Sequence, residues 1–191
     1  MVLAGQPGDA LLAAVGRLMN VSLVRPADGG DAASALRRAA GITSPYVLVA
    51  ADPLAEVAAQ WQAMWELSDT PRGSDAFELR AAEALASWRA GQFELPDYYL
   101  VLAREAPPGT EPAPDFYLGP LRGLRPHRVA VVAASETPGQ VAAVHTALGS
   151  LRHGRWWPPL PEVIDAARHF YPGALSPSAN GTAGSRLVHD S

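Results

Sequence analysis

The stretch HRVAVVAASETPGQVAAVHTALGSL, from His127 to Leu151, decides the fold. Its β-branched run from Val129 to Val132 does not alternate with polar residues, which predicts a central strand buried on both faces. Thr137 and Pro138 then supply an N-cap and a first-turn proline, and apolar residues follow at helical spacing. The stretch therefore predicts a buried strand that leads directly into a helix.

A second segment, PYVLVAADPLAEVAAQWQAMW from Pro45 to Trp65, repeats this arrangement. Asp52 and Pro53 stand at its junction between a strand and a helix with one continuous apolar face. The two junctions read VAADPLAEVAA and VAASETPGQVAA. Internal duplication and coincidence in an alanine-rich chain both explain this similarity. Two such units indicate a layered α/β domain.

Further strands are predicted from Val21 to Val24 and from Tyr98 to Ala103, and helical patterns separate all four strands. Such alternation favours parallel strands joined by right-handed crossovers. We therefore expect a three-layer α/β fold, with a mostly parallel four-stranded sheet and helices on both faces. Residues 1–173 are expected to form this single domain. The Ser-, Gly- and Asn-containing residues 174–191 are expected to be a disordered tail.

The composition excludes several classes of function. The 191 residues include no cysteine, and all fifteen basic residues are arginine. Disulfides, thiol nucleophiles, Cys-held metal centres, Schiff bases and the Walker A lysine are thereby excluded. The five histidines have no metal-ligand spacing and no strand leads into G-x-G-x-x-G, so we expect no metal and no cofactor. Arginine-only usage with abundant alanine is typical of a GC-rich bacterial genome.

Charge and hydropathy limit the partners and the location. The net charge of −4 argues against nucleic acid and anionic membranes as partners. No apolar run approaches the ~18–20 residues that a membrane span requires. The first residues, MVLAGQPGDALLAAV, have no basic segment and an interrupted apolar part. We therefore expect no signal peptide and a cytoplasmic protein.

Polar residues follow three of the predicted strands, where open α/β sheets bind their ligands. Asp52 with Glu136 forms a possible carboxylate pair, and Ser135 is a conceivable nucleophile, although the surrounding AASET lacks the small residues of a G-x-S-x-G elbow. The alternative is that Asp52 caps a helix and that Glu136 is solvated. The full set of candidate catalytic residues is Asp52, Arg104, Glu105, Ser135 and Glu136.

The segment LRHGRWWPPL, from Leu151 to Leu160, is the most distinctive of the chain. Arginine and tryptophan together are typical of binding hot spots, and arginine can stack on the indole rings. The alternative is a loop that folds back and plugs the edge of the core. The residues expected to bind a partner, which we expect to be another protein, are Arg152, His153, Arg155, Trp156 and Trp157.

Two functions remain open at this point. The first is a soluble, non-catalytic binding or regulatory module that uses the exposed Arg/Trp/Pro loop. The second is an enzyme that acts on a small anionic substrate at the carboxyl ends of the strands. The two interpretations differ in one observable, which is whether the strand-end residues converge in a single concave pocket.

Overall fold

The computed structural model describes residues 1–27, 30–66, 71–103, 115–133, 136–152 and 154–170. Within these residues the chain forms one parallel sheet of five strands, with the spatial order β2-β3-β1-β4-β5. The predicted α/β class is confirmed, but the sheet has five strands where four were predicted. The strands are β1 (Val2–Ala4), β2 (Val21–Val24), β3 (Tyr46–Val49), β4 (Tyr99–Leu102) and β5 (Val129–Val132).

The strand that the sequence did not reveal, β1, lies in the middle of the sheet. It pairs with β3 on one side and with β4 on the other, and all three of its residues are buried. Three residues are too few to display a period of two, so the pattern of β1 alone does not identify a strand. Its place depends on the two longer strands between which it lies.

The central position predicted for Val129–Val132 is wrong, although the strand itself is present. Within the described residues β5 pairs only with β4 and forms an edge of the sheet, and its residues Ala130 and Val131 are half-buried. All four residues of β4 are buried, and β4 lies next to β1. An unbroken apolar run therefore indicates a strand without fixing its position in the sheet.

Helices cover both faces of the sheet, as the alternation predicts. Side chains alternate along each strand: Val2 and Tyr99 contribute to the core on one face, and Leu3 and Leu100 to the core on the other. The α1 face carries α1 (Asp9–Val15) and α6 (Thr137–Gly149). The α3 face carries α2 (Ala32–Ala40), α3 (Ala55–Glu66), α4 (Pro71–Arg89) and α7 (Leu160–Arg168).

The two similar sequence segments form strand–helix units on opposite faces. The helix that follows β3 is α3, whereas the helix that follows β5 is α6, which packs on the α1 face. The residue at the N-cap of α6 also differs from the predicted one. Thr137 is the first helical residue, and Glu136 occupies the N-cap position without a capping side-chain hydrogen bond.

The described part of the connection into β5, residues 115–128, consists of short helical turns, and its glycine and proline residues disfavour a long regular helix. A π-helical turn at Tyr117–Leu121 is followed by α5 (Arg122–Leu124) and a 3-10 turn at Pro126–Arg128. Gly119 lies against the Phe170 ring, where an added Cβ would come within 2.8 Å of a ring carbon. This close packing holds the π-helical turn against the end of α7.

One apolar cluster joins α3, the π-helical turn and α7. The fully buried Trp61 ring meets Phe116 and Phe170 edge-on, with ring centroids 5.9 and 5.5 Å apart.

None of the helices in the described part of the chain is long and apolar enough to cross a bilayer. The predicted domain boundary at residue 173 and the predicted tail at 174–191 lie outside the described residues.

Candidate functional site

A cavity of about 310 Å³ opens at the carboxyl ends of β3, β1 and β4. The chain leaves β1 toward α1 on one face, whereas it returns after β4 with Phe116 and Tyr117 on the α3 face. Adjacent strands whose connections leave to opposite faces create a crevice, and open α/β sheets bind ligands in that crevice. This cavity therefore lies where the architecture places a ligand.

The wall of the cavity is mainly apolar with a few polar groups. Six alanines from β1, α3 and the end of β3 line it, together with Phe116 and the end of β4 at Leu102. Among the described residues that line the cavity, none is basic. Such an apolar wall with few convergent polar groups is the usual composition of a small-molecule site. The polar lining residues are Gln6, Asp52, Gln62, Asp115 and Tyr117.

Asp52 accepts three hydrogen bonds from the surrounding chain. Its Oδ1 accepts a hydrogen bond from the Leu54 backbone N–H at 2.9 Å and one from the Tyr99 hydroxyl at 3.2 Å. Its Oδ2 accepts a short hydrogen bond from the Tyr117 hydroxyl. The bond to Leu54 holds the turn that leads into α3, so the predicted capping role is present. The two tyrosine bonds extend beyond that role because they come from distant parts of the chain.

Burial sets the protonation of this cluster. Desolvation raises the pKa of Asp52 above its ordinary value, and the hydrogen bonds from Tyr117, Leu54 and Tyr99 oppose that rise. Desolvation also raises the pKa of Tyr99 and of Tyr117 well above 10, and the nearby Asp52 charge adds to both shifts. Both hydroxyls therefore stay protonated at neutral pH and act as hydrogen-bond donors.

The turn after β1 forms one side of the cavity and has an unusual backbone. Gly5 has φ +95°, and a Cβ there would lie 2.9 Å from the Leu102 carbonyl oxygen. Gln6 follows with φ +59°, a left-handed conformation that is rare for a residue with a side chain. Such conformations cost of order 1–3 kcal/mol and are concentrated at ligand sites. The turn therefore carries strain at the wall of the cavity.

Asp115 holds another part of the cavity wall in place. Its Oδ1 accepts hydrogen bonds from the Tyr117 and Leu118 backbone N–H groups at 2.8 and 2.9 Å. These bonds begin the π-helical turn, an element often found at functional sites. The turn in turn places the Tyr117 hydroxyl on Asp52. A short capping interaction thus orients a polar group of the cavity.

Comparison with known proteins assigns no function to this site. No family model, no curated protein and no solved structure matches the chain. Within the described part of the chain, no three His, Cys, Asp or Glu side chains come together as a metal site. The chemistry of the cavity therefore follows from its own residues. That chemistry is an enclosed carboxylate with two tyrosine donors, beside an apolar wall.

Only one of the two described candidate catalytic residues lies at the cavity. Asp52 lines it, whereas Glu136 is exposed after β5 and is not among the lining residues. Three strand spacings separate β3 from β5, or about 14 Å at the usual distance between strands. The structure does not bring these two residues together as a pair. Arg104, Glu105 and Ser135 lie outside the described residues.

The sequence did not reveal Tyr99, Tyr117 and the turn after β1 as parts of the site. In the sequence, Tyr99 is one more apolar position of a predicted strand, and Tyr117 lies in a connection without regular periodicity. The Tyr99 and Tyr117 hydroxyls reach Asp52 across 47 and 65 residues of sequence. No local pattern encodes such contacts. The glycines of GQPG after a short apolar run were the available signal for the turn.

The two adjacent tryptophans of the predicted binding loop have different environments. Trp157 is buried, its Nε1–H donates to the Pro96 carbonyl at 2.7 Å, and its ring meets Tyr99 edge-on at 5.9 Å. Trp157 is thus part of the core, as the alternative interpretation of the loop predicts. Trp156 is 59 % exposed and is available to a partner.

The cation that stacks on the loop is Arg128. Its guanidinium lies between the Tyr98 and Trp156 rings, 4.8 and 4.4 Å from their centroids, and donates to the Gly154 carbonyl at 3.0 Å. The arginines expected to stack there, Arg152 and Arg155, are exposed. The fifth predicted loop residue, His153, lies outside the described residues.

Proposed function

We propose that this chain is a non-catalytic domain that binds a small molecule in the cavity at the carboxyl ends of β3, β1 and β4. The observation that carries the proposal is the position of this cavity, at the point where the connections from β1 and β4 leave to opposite faces. The volume of about 310 Å³ is sufficient for a small organic ligand, since an apolar cavity of roughly 150 Å³ holds benzene.

The composition of the wall supports binding more than catalysis. Apart from tyrosine, Asp52 is the one titratable residue in the described wall whose pKa is clearly raised. A general base acts with a nucleophile or an electrophilic group beside it. The described wall offers neither a serine nor a basic residue. The described wall also offers no cation that would bind a small anionic substrate. The alternative function, an enzyme for such a substrate, therefore has less support.

A titration with benzyl alcohol, a neutral probe of suitable size, tests the proposal. We expect saturable shifts in the amide NMR signals of Gly5, Ala51 and Leu102, which surround the cavity. Ala55→Phe adds a ring to α3 at an exposed lining position, and it should weaken binding at least tenfold. Ala82→Phe, at an exposed position of α4 away from the cavity, is the matched control.

Two outcomes would contradict the proposal. In the first, the probe shifts residues elsewhere and leaves those of the cavity unchanged. In the second, Ala55→Phe binds the probe as well as Ala82→Phe does. Either result would remove the cavity as the binding site.

A second candidate function is binding of another protein through the loop that contains Trp156. The supporting observation is that Trp156 is 59 % exposed, rests on Arg128, and has the exposed Arg152 and Arg155 on the same segment. Aromatic and arginine side chains are enriched at binding hot spots, and the two exposed positive charges favour an acidic partner. A photo-crosslinker at Trp156 should capture an acidic protein, whereas one at the exposed Leu79 should not. Identical products at both positions would reject this function.

A further inference from the structure

The charges at the cavity select among small molecules. Its described wall holds two carboxylates, Asp52 and Asp115, and no basic side chain. Charge interactions are stronger in an enclosed apolar site than in water, because the surroundings screen them less. A ligand with a positive group is therefore favoured over a neutral one, and an anionic ligand is disfavoured.

The hydrogen bonds of Asp52 leave room for one more donor. Each carboxylate oxygen has two acceptor positions. Leu54 N–H and the Tyr99 hydroxyl occupy both positions on Oδ1, whereas Oδ2 accepts from the Tyr117 hydroxyl alone among the described residues. An ammonium group has donors and no acceptor, so it can take the remaining position on Oδ2. A ligand carboxylate has no proton to offer there.

The rest of the wall suits the apolar body of such a ligand. Phe116 and Tyr117 place aromatic residues at the cavity, and aromatic rings attract cations that lie over their faces. Alanines of α3 line the other side and leave space for a ring or a short aliphatic chain. The cavity therefore combines a carboxylate with an apolar chamber, the two parts that an organic amine requires.

We infer that the ligand of this cavity is an organic amine, a cationic ammonium group on a small apolar body, with Asp52 as its counter-ion. This inference rests on the proposed function, because it names the ligand class of the same site. Asp52 then has two roles, as the cap of the turn into α3 and as the anionic anchor of the ligand. Burial raises the pKa of Asp52, and a bound ammonium group opposes that rise because it favours the ionised carboxylate.

Three probes of similar size and different charge test the inference: benzylamine, benzyl alcohol and benzoate. We expect benzylamine to bind about tenfold more tightly than benzyl alcohol, the gain expected for a hydrogen bond to a charged group, and benzoate to bind most weakly. The readout is the dissociation constant from the amide NMR signals of the cavity. Asp52→Asn should remove the preference for benzylamine over benzyl alcohol.

Asp97→Asn is the matched control, because it removes the same charge from an exposed residue before β4, at the opposite end of the strand. That variant should keep the full preference for benzylamine. Should Asp52→Asn fail to fold, Asp52→Ser serves in its place, since serine is also a good capping residue and carries no charge.

The outcomes separate the two claims. If benzyl alcohol binds in the cavity and benzylamine binds no more tightly, the amine inference fails and the cavity remains a binding site. If the preference for benzylamine persists in the uncharged Asp52 variant, Asp52 is not the anchor. If none of the three probes shifts the cavity signals, the proposed function fails, and this inference fails with it.

Discussion

At the scale of single residues, Asp52 connects the fold with the candidate site. Capping is a local property, since a carboxylate two residues before a turn N–H can accept a hydrogen bond from it. The contacts with Tyr99 and Tyr117 are a tertiary property. Burial makes Asp52 costly to ionise, and the two tyrosine hydrogen bonds oppose that effect. The same side chain therefore stabilises the start of α3, while burial of its negative charge costs free energy.

The raised pKa of Asp52 predicts how pH acts on stability. Between the ordinary aspartate pKa, about 3.9, and the raised folded value, the folded state holds a proton that the unfolded state has lost. The contribution of Asp52 to the free energy of unfolding is therefore greatest below the unfolded pKa, and it falls as pH rises through this window. Asp52→Asn has no such group. We expect the stability of the wild type relative to Asp52→Asn to decrease as pH rises.

Urea unfolding of both proteins at a series of pH values measures this difference. Asp31 and Glu78, whose pKa values are lowered in the fold, act in the opposite direction but are common to both proteins. Their effects cancel in the comparison. A difference that stays constant or grows with pH would show that Asp52 is not buried as described.

The sequence alone indicated Asp52 as a candidate site residue, because the position after a buried strand is a local feature. It did not find Tyr99 or Tyr117, because their roles depend on which strands and turns become neighbours. The charge at Glu136 was as visible in the sequence as that of Asp52. Its position beside the edge strand β5 sets it apart from the cavity, and sheet order is not written in local periodicity.

At the scale of elements, the loop before α7 acts as a structural support with one exposed ring. Trp157 fills the core beside Tyr99, which itself donates to Asp52. Arg128 holds the neighbouring loop through Trp156 and the Gly154 carbonyl. The sequence predicted a special role for both tryptophans, but their burial depends on contacts with β4 and its surroundings.

The two tryptophans should therefore differ strongly in their effect on stability. Trp157→Ala leaves a cavity and an unpaired Pro96 carbonyl, and it should lower the free energy of unfolding by about 3–5 kcal/mol. Trp156→Ala removes one exposed stacking interaction with Arg128, with an expected cost of about 0.5–1 kcal/mol. Urea unfolding followed by circular dichroism measures both. Equal losses would contradict the different environments of the two side chains.

At the scale of the whole molecule, the sheet order creates the cavity. β1 lies between β3 and β4, and its following turn must pass close to the end of β4 before α1 begins. The α/β class could be predicted because helical and strand periods alternate along the chain. The order could not, since a three-residue central strand has no readable pattern and the apolar β5 resembled a central strand.

A pair of glycine substitutions tests this arrangement. Gly5→Ser places a Cβ 2.9 Å from the Leu102 carbonyl oxygen at φ +95°, and backbone strain should lower the free energy of unfolding by about 1–3 kcal/mol. Gly8→Ser has open space, an extended backbone and the N-cap position of α1, so it should be neutral or slightly stabilising. The measurement is urea unfolding of both variants. Equal stability of the two would contradict the close approach of the β1 turn to β4.

A crystal structure of the protein soaked with benzylamine would locate the ligand in the cavity directly. We expect one benzylamine in the cavity at the carboxyl ends of β3, β1 and β4, with its ammonium nitrogen about 2.7–2.9 Å from Oδ2 of Asp52. Its ring would lie against the alanines of α3. A cavity filled by the protein's own side chains, or benzylamine bound only elsewhere on the surface, would show that this cavity is not an amine site.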